Sequence, residues 1–311
     1  MAATLGVSID ATRMVATVVD TSGEVCGREQ LTLGSDTPPK RVVLQVAELV
    51  QRFDASALAP AAVGIGFPGL VDHERGWIRS STLFAGWREV RLARAIEARI
   101  GRPCIVDNDV NLAAIAELAQ RDGRDAMLFV AVGAGIGGAL CMGRRLWRGV
   151  SGVAGELGHV VVDPAGKLCR CGRRGCLETI ASAGAIEQRA GVDPGTLALA
   201  WRAGSPRAID AALEGARALA SGIADAVHFF NPSLVVVGGS VAQLGDTWIV
   251  ELRRAVAAAC FVEAAAACRI EGARAGTDAA AIGGALVAAE VARYRRARDD
   301  EAVDVNRPPE T

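Results

Sequence analysis

Neither a run of lysine or arginine nor a large net charge is present in these 311 residues; the formal charge is −1 and the isoelectric point is near 6.3. A nucleic-acid groove or an anionic membrane surface calls for a concentrated basic face, so neither is expected as a partner. The opening residues, MAATLGVSID, lack the basic start of an export signal, and Asp10 interrupts their apolar stretch. Without export a disulfide framework is not expected either, and the cytoplasm is the expected location. A membrane span is also missing. The uncharged stretch AMLFVAVGAGIGGALCM (126–142) is short for a bilayer, and Gly133, Gly135, Gly137 and Gly138 sit in its middle. Two apolar strands joined by a glycine turn fit it better. What is abundant is apolar material: 51% of the residues are hydrophobic, which excludes wholesale disorder and supports two lobes of ordinary size.

Residues 4–20, TLGVSIDATRMVATVVD, read as a strand, a small-residue turn and a second strand, with TSGEV leading into a third. AMLFVAVGAGIGGALCMGRRLW repeats that plan about 120 residues later, which points to a duplicated unit. Between the two openings, helical stretches (KRVVLQVAELVQRF, VRLARAIEARIG, VNLAAIAELAQR) alternate with apolar strands (AAVGIGFPG, PCIV), the pattern of an α/β sheet with helices on its faces. The expected division is an N-terminal lobe 1–118 and a C-terminal lobe 119–290, with a tail 291–311. The charged end from Asp299, with two prolines, is expected to fray.

Three of the eight cysteines fall within CRCGRRGCLE (169–178), and His159 lies ten residues before the first of them. His159, Cys169, Cys171 and Cys176 supply one imidazole and three thiols, a closed tetrahedral set suited to structural zinc. Gly172 and Gly175 let the chain curl tightly enough to converge the sulfurs, and Arg170, Arg173 and Arg174 offset the charge of three thiolates.

GELGHVVVDPAGKLCRCGRRGCLE closely resembles the signature of the ROK family (repressors, open reading frames and sugar kinases), and the resemblance runs from LGVSIDATRMVATVVDTSGEV to GTDAAAIGGALVAAE. It implies a two-lobed, actin-like sugar-kinase fold with a zinc-stapled loop at 155–180, a hexose or amino-hexose (or its phosphate) between the lobes, ATP with Mg²⁺ beside it, and a homodimer or homotetramer. The positions matching the family's sugar contacts are Gly69 in GFPG, Asn108 and Asp109 in VDNDVN, Glu156 and His159 in GELGH, and Glu178. Carboxylates and amides are the groups that read a ring of hydroxyls. Asp109 matches the family's catalytic aspartate, although its place just before VNLAAIAE would also suit a helix N-cap. Nucleotide contacts map onto Thr12, Gly133, Gly135, Gly238 and Gly239.

The phosphate side departs from the family. Where its kinases read Asp-x-Gly-Gly-Thr, this chain has Ser8, Asp10, Ala11 and Thr12, and Ala134 replaces a hydroxyl in the second turn. A metal-side carboxylate and two close-approach glycines are absent. VDNDVNLAA looks more like the family's regulators, yet the chain enters its first strand at Thr4, without their N-terminal helix-turn-helix. The expected function is therefore sugar recognition of a regulatory or weakly catalytic kind. The alternative is an ATP-dependent hexose kinase, of glucokinase or N-acetylhexosamine kinase type, with Asp109 as its base.

Overall fold

A computed structural model describes residues 3–34, 36–56, 58–121 and 126–305. The chain divides into two units. The first comprises residues up to Ala116 together with those from Asp278 onward; the second is Glu117–Thr277.

The first unit opens with a meander, β1 (Thr4–Ile9), β2 (Arg13–Val19) and β3 (Val25–Thr32), followed by α1 (Pro39–Ala55). The strand β4 (Val63–Phe67) comes next, then three short strands, β5 (Leu70–Asp72), β6 (Trp77–Ser80) and β7 (Arg88–Val90). The segment closes with α2 (Leu92–Ile100), β8 (Cys104–Asn108) and α3 (Asp109–Ala119). The main sheet has the order β3-β2-β1-β4-β8, with β1, β4 and β8 parallel. Leu5, Val7 and Ile9 are buried, whereas β3 alternates, as befits an edge strand. On α1, Val42, Val46, Leu49, Val50 and Phe53 recur at helical spacing and form the buried stripe against this sheet's core. The three short strands form a separate small sheet, and beside it Phe67 stacks on Trp87 at 4.4 Å between ring centroids.

The second unit repeats the plan. A meander of β9 (Met127–Val132), β10 (Ile136–Met142) and β11 (Arg145–Trp147) leads through a 3₁₀ turn at Leu157–His159 into α4 (Glu178–Ala181) and α5 (Ala183–Ala190). Then come α6 (Leu197–Arg202), α7 (Pro206–Phe230), β12 (Leu234–Gly238), α8 (Asp246–Ala259), α9 (Val262–Ala267) and β13 (Arg269–Gly272). Its sheet order, β11-β10-β9-β12-β13, matches the first strand for strand, so the duplication legible in the two openings extends to the whole sheet. Each unit has its own apolar core. Among the described residues, no helix is long and apolar enough to cross a membrane.

The last helix, α10 (Ala279–Val305), belongs to the first unit, so the expected lobe 119–290 is cut at Thr277. The cause is backbone-to-backbone packing. A Cβ on Gly6 would strike the carbonyl of Ala281, and one on Gly64 the carbonyl of Gly284, so glycines on β1 and β4 let the helix lie directly on the sheet. The helix continues past Asp299 to Val305; the remainder of the tail expected to fray, 306–311, lies outside the described residues.

One carboxylate in the second unit is fully buried. Glu117 accepts the backbone N–H groups of Arg274 (2.7 Å) and Ala275 (2.6 Å) and pairs with Arg121, which reaches Glu271 at 2.7 Å. Removing the carboxylate orphans two amides and leaves Arg121 only partly compensated. Glu117→Ala is therefore expected to cost about 3 kcal/mol of stability, measured by urea unfolding. A loss below about 1 kcal/mol contradicts that account.

Candidate functional site

In the second unit, the four groups expected to hold zinc converge. The ligand atoms of His159, Cys169, Cys171 and Cys176 all lie within 4.8 Å of one another. Tetrahedral zinc, with Zn–S about 2.3 Å and Zn–N about 2.05 Å, requires S···S edges of about 3.75 Å and S···N edges of about 3.55 Å. The Cys171 and Cys176 sulfurs are 3.5 Å apart, and Cys169 Sγ lies 3.6 Å from His159 Nδ1. The donor set therefore fits zinc in type, number and spacing. The loop is shaped by its own backbone: Cys169 N–H donates to Arg173 O at 2.7 Å, and the Arg173 guanidinium donates to His159 O at 2.7 Å.

The thiols differ. Burial pushes Cys169 up to about 12 and Cys176 upward as well, whereas the backbone N–H of Arg173, with neighbouring side chains, brings Cys171 down to about 6. Metal-free, the cluster carries a thiolate at Cys171 and protons on the other two. A divalent cation is what lets all three ionise together.

Beside this cluster stand two carboxylates. Glu178 Oε1 lies 3.0 Å from Cys169 Sγ and 3.7 Å from His159 Nδ1; Glu156 Oε2 lies 3.8 Å from His159 Nε2. The imidazole thus turns Nδ1 toward the sulfurs and Nε2 toward Glu156, one ring face for a metal and the other for a polar ligand. Glu156, although its side chain is 42% exposed, is pushed toward a higher pKa by desolvation, with His159 opposing the shift and Glu178 adding repulsion.

Gly69, Asn108 and Asp109 gather in the first unit, at the ends of β4 and β8. Phe67 pairs with Asn108 across these strands, and Asn108 Nδ2 donates to Gly69 O at 3.2 Å. The helix cap is Asn108 and not Asp109: Asn108 Oδ1 accepts Val110 N–H at 2.9 Å and Asn111 N–H at 3.2 Å. Asp109 is the first helical residue. Sequence reasoning missed the support beneath it, where buried Asp107 accepts from Asn111 Nδ2 at 2.9 Å and from Asn108 N–H at 2.7 Å. The signal was there, in a VDNDVN run richer in amides and acids than one cap requires.

Of the nucleotide-side residues, the second unit brings four together. Gly133 and Gly135 form the β9–β10 turn, closed by Gly133 N–H to Gly135 O at 2.9 Å, and Gly238–Gly239 end the adjacent parallel strand β12. Packing alone also demands glycine at 239, where φ is +87° and a Cβ would meet the backbone of Val132. Thr12 sits in the first unit, in the β1–β2 turn. There Asp10 folds back on its own chain, one oxygen accepting from Thr12 N–H (2.7 Å), Thr12 O–H (2.8 Å) and Arg13 N–H (2.9 Å), the other from Arg13 Nε at 3.0 Å. Ser8 offers no carboxylate and that of Asp10 is engaged, so this turn does not fit magnesium.

The ROK family model matches residues 4–291. The glucokinase of Thermotoga maritima is 33% identical over 81% of this chain and 86% of its own length. An N-acetylmannosamine kinase of Escherichia coli K12 is 32% identical over 76% of this chain and 83% of its own. Among solved structures, a ROK family glucokinase from Streptomyces griseus, in complex with glucose and AMPPNP, superposes with a TM-score of 0.81 at 30% identity, over 93% of this chain and 99% of that one. The α/β architecture with its repeated sheets is the actin-like fold of these sugar kinases.

Proposed function

The chain belongs to the ROK family, and on that premise we propose that it is an ATP-dependent kinase of a hexose or amino-hexose. The regulatory reading that the altered β1–β2 turn suggested gives way to this one, because the relatives described above, at 30–33% identity, are glucokinases and an N-acetylmannosamine kinase. The observation that carries the proposal is the start of α3. Asn108 does the capping, and Asp109, the first residue of α3, stands at the end of the parallel strand β8, where α/β proteins place substrate groups.

In this reading Asp109 accepts the proton of the attacking sugar hydroxyl as the phosphoryl group moves to its oxygen. Asn108, Glu156, His159 and Glu178 hydrogen-bond the remaining hydroxyls, and Gly69 backs the ring. Zinc, when bound, neutralises three thiolates and fixes the loop; His159 then keeps its orientation toward the sugar. Gly133, Gly135, Gly238, Gly239 and Thr12 are the proposed nucleotide contacts. No step is assigned to magnesium, since the β1–β2 turn does not fit it. A cytoplasmic location and a homodimer or homotetramer belong to the same proposal.

The test is ADP release from Mg–ATP with a panel of hexoses and N-acetylhexosamines, run beside thermal shift with the same sugars. A sugar at one hundred times its Kd adds roughly 2.7 kcal/mol of stability. Stabilisation with turnover supports the kinase; stabilisation by a sugar without turnover returns the regulatory reading. Glu156→Ala should weaken hexose binding by about 1.5–3 kcal/mol, the worth of a charge-assisted hydrogen bond, with zinc content unchanged. Because the Glu156 carboxyl is raised, hexose affinity in the parent protein should begin to fall at a higher pH than for an ordinary glutamate, and titration calorimetry against pH reads this. Equal affinity in the variant removes Glu156 from the site.

A further inference from the structure

We propose that the metal loop clamps the Gly133–Gly135 turn, a turn that contributes no ligand to the metal, so that metal loading sets the order of that turn. The turn is short of its own anchors. Its residues are Gly-Ala-Gly, Ala134 is exposed, and the closing hydrogen bond is Gly133 N–H to Gly135 O at 2.9 Å. Backbone this free is held by what presses on it.

Two chain segments press, and each carries metal ligands. The first, residues 155–159, runs beside β10: Gly138 N–H donates to Gly155 O at 2.7 Å, and Gly158 lies so close to the Ile136 carbonyl that a side chain has no room. This segment ends in His159. The second runs from Cys176 through α4 to the start of α5, where Ala183 N–H donates to Gly133 O at 2.8 Å. Along it, Glu178 Oε2 lies 3.1 Å from where a Cβ on Gly135 would stand. Both segments are thus tied to the metal cluster at one end and to the turn or its strand at the other. The two segments also hold each other through Leu177 N–H to Val160 O at 2.8 Å and Val162 N–H to Gly175 O at 2.9 Å. A cation adds the tie between His159 and Cys176, and its removal loosens both segments at the cluster end. If the turn holds donor phosphate, metal loading also raises nucleotide affinity; that consequence rests on the kinase reading, and the clamp does not.

The experiment is hydrogen exchange on the full chain without sugar or nucleotide, metal-loaded and after chelation, in wild type and in Ala183→Pro. Proline suits position 183: it opens α5, and Ser182 before it is already extended (φ −67°, ψ 158°). The change deletes the N–H that bonds Gly133 O and leaves every ligand in place. Chelation of wild type should speed exchange at Gly133 by about tenfold while Val235–Val237 on β12 stay protected. Metal-loaded Ala183→Pro should match chelated wild type at Gly133, with zinc content unchanged, and chelating it should add little. Unchanged exchange at Gly133 on chelation overturns the clamp; so does an equal chelation effect in the variant, which would route the coupling elsewhere. Where chelation also exposes β12, the metal-loaded pair decides: about tenfold faster exchange at Gly133 in the variant supports the clamp, and equal rates refute it. Calorimetry with Mg–AMPPNP separates the two readings, since a metal-loaded protein that binds none refutes the kinase while the exchange result stands.

Discussion

Asp109→Asn should lower hexose phosphorylation by about 10²–10⁴-fold, with hexose KM changed only a few-fold. Asparagine matches aspartate in size and still offers one oxygen to a hydroxyl, so binding largely survives. What it cannot do is take the proton from that hydroxyl. Asn108 and not Asp109 caps α3, so the exchange leaves the cap in place, and the melting temperature measured alongside separates loss of the base from loss of fold. Turnover in the parent is expected to be modest, given Ser8 in place of a metal-side carboxylate and Asp10 wrapped around its own turn. A background carrying Ser8→Asp, Asp10→Gly, Ala11→Gly and Ala134→Thr should raise it and widen the window in which the loss is measured. Parent-like turnover of Asp109→Asn would remove the base assignment.

Periodicity and spacing carried much of this fold. The two openings announced a repeat, and the paired sheets follow it strand for strand, because buried strands write long apolar runs into the sequence. Three features were not legible. The small sheet β5–β7 is made of strands of three and four residues with arginines and an aspartate among them, too short and polar to show a period. The return of α10 to the first unit depends on glycines that meet across more than two hundred residues of chain, a pairing that no local pattern encodes. Glu117 stood in the apolar run AAIAELA, where a lone acid reads as a solvent-facing position until its partners at 274 and 275 are placed.

The candidate site divides in the same way. The zinc ligands lie close in sequence, so spacing alone identified them, and the geometry adds edges of tetrahedral length. The sugar and base residues came from motif resemblance, and only the structure separates the two roles at the start of α3. Asx-rich runs are ambiguous by nature, since every Asn or Asp in them can cap. Asp10 shows the converse: its charge was readable, its direction was not. The carboxylate, still solvent-exposed, turns onto Thr12 and Arg13.

Cys171→Ser should abolish stoichiometric zinc, which the parent is expected to carry at about one ion per chain. This cysteine is the one to change because it is exposed, while Cys169 and Cys176 are buried, so serine there removes a ligand without opening a void in the core. Three ligands cannot close the site, and the loop from Asp163 to Cys176 should become sensitive to protease. Hexose affinity should fall by about ten- to one hundredfold, as His159 and Glu178 lose the partner that orients them. The ionisation pattern adds a signature that simple misfolding would not give. At neutral pH Cys171, held near 6, is already a thiolate, whereas Cys169, near 12, and Cys176, also raised, keep their protons, so zinc binding must displace two protons. Parent zinc affinity should therefore tighten steeply as pH rises, because binding displaces thiol protons. Competition with a chromophoric chelator across pH 6–8 reads that slope. A slope near zero, or full hexose affinity in zinc-free Cys171→Ser, would show that the thiols do not hold the metal or that the metal does not hold the site.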